Sequence, residues 1–276
     1  ENISIENKNL TIIGQGPDST IVDGNLTARV FTISGFAHNV LIADLSVIKG
    51  LNPPNSFAFG SGISTNYINL ILDNVIMREN HARDFACLYI DNGSNVIIRN
   101  SLIVDNTSEQ YSWPGDHQIG GLYVSESNLL IENSIIVNNV NRNIVIDQYT
   151  QASIVNSIIG ITDREPPHNV IGTNDGGGNN SIRLFLAYTN IIGLSSSDEL
   201  EQGIYPLESV TYYPIEFNED YDLIDGSYGI DAGVSTFAFE EDDDWSDTWP
   251  ASEQDAFEYD YFENHDSFSG SAPDLG

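Results

Sequence analysis

Two loops collect the residue types that could act on a sugar polymer. The first runs from Glu79 to Phe85 and holds His81, Arg83 and Asp84; the second runs from Thr107 to Gly121 and holds Tyr111, Trp113, Asp116 and His117. A polysaccharide lyase needs a base and a cation that neutralises the substrate carboxylate. His81, Arg83, Asp84 and His117 are the weak catalytic candidates, and Tyr111, Trp113 and Asp116 could line a carbohydrate groove beside them. The competing reading is that Arg83 pairs with Asp84 or a neighbour and the loops are solvated decoration. Lysine is scarce, with Lys8 and Lys49 the only two. A hydrolase would need two carboxylates at a set separation. With 41 acidic residues, chance pairs carry no signal. Asp242, Asp243, Asp244 and Asp247 offer hard oxygen ligands of the kind calcium takes, though not at the spacing of an EF-hand loop. A solvated acidic run is the alternative there. The five histidines are scattered and Cys87 is the lone cysteine, which argues against zinc.

These loops must be carried by a regular frame, and the frame is a repeat. Ile98–Asn106 (IRNSLIVDN) aligns without a gap with Ile131–Asn139 (IENSIIVNN), Ile154–Thr162 (IVNSIIGIT) and Leu72–Asn80 (LDNVIMREN). Weaker copies are Ile42–Gly50 and Leu186–Leu194. A core of fixed length with spacers of variable length marks a solenoid. Each copy is two short apolar runs broken by an Asn, too interrupted for an amphipathic helix. We read it as one coil of a parallel β-helix with loops extruded between coils. Stacked coils turn equal repeat positions into ladders. Positions one (Ile42, Leu72, Ile98, Ile131, Ile154) and six (Val47, Met77, Ile103, Ile136, Ile159, Ile191) should point inward. Position three (Asp44, Asn74, Asn100, Asn133, Asn156) should bend in the left-handed region and stack its amides. Position two places Asp73, Arg99 and Glu132 in an outward charge ladder.

A third strand per coil follows each spacer, so the expected fold is all-β: a right-handed parallel β-helix of about seven to eight coils. Residues 1–199 form this solenoid. From 200 to 276 the chain turns acidic and rich in aromatic residues, too rich for a disordered tail. An irregular cap or side cover packed on the solenoid is expected. Position five should face out, yet with position seven it sets an apolar stripe of Ile76, Leu102, Val104, Ile135, Val137 and Ile158. Monomers rarely expose such patches. Either the C-terminal segment covers the stripe or a second copy does, making it an assembly interface.

Composition narrows the partners. The formal net charge is −32, with nine Lys plus Arg, so neither nucleic acid nor an anionic membrane surface is an expected partner. No apolar run is long enough to span a bilayer, and no signal peptide is visible. The acidity fits solubility in salt or divalent-cation binding, and a secreted protein from a marine or saline setting. Cys87 sits in an apolar run and reads as a buried structural thiol. Asn-x-Ser/Thr acceptors for glycosylation include Asn25, Asn92, Asn106 and Asn179.

The opening NLTIIGQGPDSTIVDG and the I-x-N-S-x-I-x-x-N coils resemble secreted bacterial right-handed β-helix repeats of the pectate-lyase-like and polymorphic outer-membrane-protein-like kind. Gly226 to Gly233 (GSYGIDAG) with Ala272 to Gly276 (APDLG) is similar to the choice-of-anchor Q domain. Tyr228-Gly229 stands where that family usually has Ser-Pro. The resemblance implies a fold and an extracellular or cell-surface address in a bacterium, but no particular reaction. Three functions follow as expectations. The first is an adhesive or structural surface protein, able to serve as a self-assembling fibre subunit, whose partner is an extracellular glycan or copies of itself. The second is a polysaccharide lyase or glycoside hydrolase using the loop groove. The third is a non-catalytic carbohydrate-binding protein. Calcium is the one cofactor considered.

Overall fold

The computed structural model describes residues 2–52, 59–83, 85–109, 119–140, 142–160, 171–174, 182–194, 196–197, 200, 204–218, 221, 223, 236–238 and 258–260. The chain winds as a parallel β-solenoid. The first coil is β1 (Ile3–Glu6), β2 (Leu10–Ile13) and β3 (Ile21–Asp23). The next two are single bent strands, β4 (Phe31–Ile48) and β5 (Ile63–Arg78), followed by the short β6 (His81–Ala82). Then come β7 (Leu88–Asp91), β8 (Asn95–Arg99), β9 (Leu102–Val104) and the short β10 (Thr107–Ser108). Above them lie β11 (Leu122–Val124), β12 (Asn128–Glu132) and β13 (Ile135–Val137), then β14 (Ile144–Asp147), β15 (Gln151–Val155) and β16 (Ile158–Gly160). β17 (Ile171–Asn174), β18 (Arg183–Ala187) and β19 (Asn190–Ile192) make the next level. β20 (Ile204–Glu208) pairs with β18 and carries the ladder past residue 199. β21 (Thr236–Ala238) and β22 (Glu258–Asp260) form a separate antiparallel pair.

Three parallel ladders result. The middle one runs through β2, β4, β5, β8, β12, β15, β18 and β20, with Ile42, Leu72, Ile98, Ile131, Ile154 and Leu186 in register. These position-one residues and the position-six row of Val47, Met77, Ile103, Ile136, Ile159 and Ile191 lie together in the main core. Phe31, Ile63, Leu88, Leu122 and Ile144 close that core from the first ladder. Each such aliphatic contributes roughly 1.5–3 kcal/mol by leaving water. Cys87 belongs to the same core, and burial pushes its thiol above the usual range.

The bend at repeat position three is left-handed, with φ of 56° at Asp44, 52° at Asn74 and at Asn100, 45° at Asn133 and 49° at Asn156. Its amides do not form one continuous stack. Asn74 Nδ2 donates to Asp44 Oδ1 (2.8 Å), but Asn100 Nδ2 donates sideways to Asp73 Oδ1 (2.9 Å). The long buried stack stands at position nine and ends on Asn143, four residues beyond it. Gly50 N–H donates to Asn80 Oδ1 (2.9 Å), Asn80 N–H to Asn106 Oδ1 (3.0 Å), Asn106 N–H to Asn139 Oδ1 and Asn139 N–H to Asn143 Oδ1 (both 3.2 Å). Their Nδ2 groups donate to the next Oδ1 and to strand carbonyls of Val47, Met77 and Ile103. This corrects the glycosylation reading at Asn106: its side chain is buried and both its polar atoms are spent inside the stack. Asn25 is exposed, Asn92 is half-buried with Nδ2 on Asp91, and Asn179 lies outside the described residues.

The apolar stripe is covered from within the chain. Val104, Val137 and Ile158 are buried with Ile192 beneath Ile215, and Leu102, Ile135, Phe217, Tyr221 and Leu223 pack around them. Tyr221 OH donates to Asp105 (2.9 Å) and accepts from Asn138 Nδ2 (3.2 Å). Asn190 holds the start of this strap through Tyr213 and Thr211. Ile76, half-buried, lies outside that cluster.

Replacing Asn106 by Ala strands the Asn80 N–H and part of Asn139 in a dry interior. The expected loss is about 2–4 kcal/mol in urea unfolding, against under about 1 kcal/mol for Asn74→Ala at the exposed bend.

Candidate functional site

The two chemistry-bearing loops do start side by side. β6 pairs with β10, so His81 faces Thr107. His81 Nδ1 is 2.7 Å from Thr107 Oγ1, and Nε2 is 3.3 Å from Glu109 Oε1. Both ring nitrogens are therefore occupied, and His81 ties neighbouring coils together rather than offering a free base. Arg83 is engaged as well. Asp84, Tyr111, Trp113, Asp116 and His117 lie outside the described residues, as do Asp242, Asp243, Asp244 and Asp247. Among the described residues, no group of three His, Cys, Asp or Glu is placed to hold a metal ion.

Other cations are committed too. Arg29 donates from Nε to Gly60 O and from Nη2 to Phe59 O, both at 2.6 Å, and burial lowers its pKa. Lys49 pairs with Glu79 at 3.9 Å and Arg99 with Asp73 at 2.9 Å. None of these three is poised to neutralise a substrate carboxylate.

Beside these loops, the outer face of the first ladder carries an aromatic column. Tyr89 and Tyr123 are in register, with rings parallel at 5.3 Å, and Phe59 stacks on Tyr89 at 4.9 Å. Phe85 closes on Phe59 and Tyr123. Tyr89 OH donates to Asp91 (3.0 Å) and Tyr123 OH to Asp147. Burial, then the neighbouring carboxylates, push both hydroxyls up, so they remain donors. Burial also raises Asp91. Within the column the rings spend their faces on one another. It acts as a spine packed over Ala86, Ile119 and Val145.

The open surface is the edge where each coil leaves the first ladder. The turn is left-handed at Ala37, Tyr67, Asn92, Glu126 and Tyr149, with φ between 48° and 55°. In β4 the register jumps between Ser34 and His38, so Gly35, Phe36 and Ala37 bulge out opposite β5. The bulge throws Phe36 into solvent, 75% exposed, with its ring stacked on Tyr67 at 4.9 Å and 27°. Tyr67, itself 43% exposed, lies over Gly93, where an added Cβ would sit 3.7 Å from the ring. Next to this pair runs a second asparagine row. Asn39 N–H donates to Asn9 Oδ1 (2.8 Å), and Nδ2-to-Oδ1 bonds follow from Asn69 to Asn39 (2.9 Å), Asn95 to Asn69 (2.8 Å) and Asn128 to Asn95 (2.8 Å). Each linking carboxamide keeps a second N–H and a second lone pair. An aromatic face beside a row of oriented amides suits a sugar: C–H against ring, hydroxyls against amides. The row was readable, since each Asn stands three residues before a repeat start. Phe36 gave no periodic signal because it sits in the bulge.

On the same outer sheet, position two is not an open charge ladder. Arg99 bonds Asp73, and Glu132, in register with Arg99, is only 4% exposed. Burial is the main cause that pushes Glu132 up to about 7, with Arg99 pulling it down and Asp73 raising it further.

No protein-family model matches the chain, and no curated protein sequence matches it. Among solved structures, pectate lyase Pel9A is similar at a TM-score of 0.39 and 13% identity, over 100% of this chain and 82% of that one. The reading of the site rests on the residues alone.

Glu132 holds its proton more tightly folded than unfolded. Its contribution to stability is therefore full below the unfolded value of about 4.3 and is lost as pH rises towards about 7. Glu132→Gln should remove that loss. Relative to the parent, the variant gains up to about 3 kcal/mol between about pH 4.5 and about pH 8 in urea titrations.

Proposed function

We propose that this chain is an extracellular, adhesive β-solenoid that binds a neutral polysaccharide without cleaving it. The observation that carries the reading is the exposed Phe36–Tyr67 stack beside the outer asparagine row. Three further facts support it. His81 has both ring nitrogens engaged, so it is not a ready base. A net charge of −32 repels a uronate polymer, while a neutral glycan meets no such barrier. The stripe from Leu102 to Ile192 is covered by the chain's own Ile215 and its neighbours, which favours a glycan over a second copy as the partner.

Affinity electrophoresis in gels cast with neutral or uronate polysaccharides tests this. The parent should be retarded by a neutral polymer and run freely in pectate or alginate. Phe36→Ala with Tyr67→Ala should weaken retardation at least about tenfold, about 1.4 kcal/mol, with an unchanged melting temperature. Release of new reducing ends or unsaturated sugars would contradict the non-catalytic reading. Equal retardation of the variant would remove this edge as the site.

A further inference from the structure

The face that continues from the aromatic pair has an order that a single dissolved chain does not require. In the middle ladder Leu41, Ile71, Ile97 and Leu130 are in register and alternate with core residues, so they point outward, half-buried. They form a straight aliphatic row, two residues along each strand from the asparagine row. The asparagine row covers five rungs from Asn9 to Asn128, about 19 Å at the spacing of neighbouring strands. Its amides are fixed by their own mutual bonds at 2.8–2.9 Å, so they meet a ligand already oriented. The four aliphatics belong to none of the buried clusters among the described residues. Of the charges bordering the row, Asp73 and Arg99 neutralise each other, and Glu132, in register with Arg99, is buried and pushed up to about 7. On a chain of net charge −32, this is a neutral strip with apolar and amide rows side by side.

We infer that the ligand of this face is the ordered surface of an insoluble, β-linked neutral polysaccharide, an inference that rests on the glycan reading above. A β-linked ribbon presents C–H groups on its flat side and hydroxyls along its edges. Packed ribbons repeat that pattern as parallel rows, and parallel rows of aliphatic and amide groups answer them. Pre-organised amides lose little entropy on binding, and neutral hydroxyls make no electrostatic demand on an acidic protein. The Phe36–Tyr67 stack flanks the strip beside Asn39 and Asn69 and would hold a sugar of either form.

Adsorption to microcrystalline cellulose, compared with binding to soluble cello-oligosaccharide, decides the matter. The parent should partition to the solid at least tenfold more strongly than to the soluble chain. Ile71→Ser with Ile97→Ser should reduce adsorption at least tenfold and leave binding of the soluble chain unchanged. Folding is checked by far-UV circular dichroism, and Leu130→Ser replaces the pair if it misfolds. Adsorption unchanged in the variant overturns the inference, as does equal affinity for solid and soluble forms; both leave the glycan reading intact. Binding to neither cellulose nor any neutral polymer overturns both. Retention on ice in place of cellulose also overturns the inference, by assigning the rows to a water lattice.

Discussion

The stack Asn80–Asn106–Asn139–Asn143 is the constraint from which the rest of the molecule follows. The side-chain oxygens of Asn80, Asn106 and Asn139 each accept a backbone N–H from the coil below, and their amide nitrogens donate to the next side chain and to a strand carbonyl; Asn143 closes the series, accepting from Asn139 and donating to Gly160 O. The groups are buried, so every bond in the series replaces one that water can no longer make. The stack also marks where the third strand ends. Loops of any length can leave the chain after it without disturbing the pairing below. That is how loops as different as Glu79–Phe85 and Thr107–Gly121 arise from coils whose strands remain in register.

In-register strands make in-register surfaces. Serine and threonine corners reinforce the alignment: Val75 N–H bonds Ser101 Oγ, Ser101 N–H bonds Ser134 Oγ and Ser134 N–H bonds Ser157 Oγ, at 3.1–3.2 Å. The outer asparagine row, the aliphatic row and the tyrosine column are consequences of this alignment. Their functions diverge because their exposures do. The tyrosines turn their faces to each other, whereas Phe36, lifted by a bulge, does not. Arg29, Lys49 and Arg99 are committed to partners within the chain, which favours the proposed neutral glycan over an anionic one at this edge.

Much of the frame was legible in the residues. Inward positions one and six follow from spacing alone, and the left-handed bend at position three follows from Asn and Asp recurring there. The position-nine stack was harder to see because Gly50 and Leu194 occupy the same place in the weaker copies, and an Asn buried in a stack looks like an Asn in a solvated turn. Outwardness misled at position two, whereas at positions five and seven a covering C-terminal segment was one of the two readings. Glu132, Ile158 and Val137 point away from the main core yet are buried, Ile158 and Val137 in the separate cluster with Ile215. Periodicity reports which side of a strand a residue takes, not what returns from elsewhere in the chain to cover it. The Phe36–Tyr67 pair depends on a local register jump, which strand patterning does not encode.

The most direct test is an NMR titration of the side-chain amides with a soluble neutral β-linked oligosaccharide. The account predicts shifts at the carboxamides of Asn39, Asn69 and Asn95 and at the backbone around Phe36 and Tyr67. The buried amides of Asn80, Asn106 and Asn139 should stay still. Shifts gathered instead around His81, Thr107 and Tyr89 would contradict the account and return the loop pair to the centre of the function.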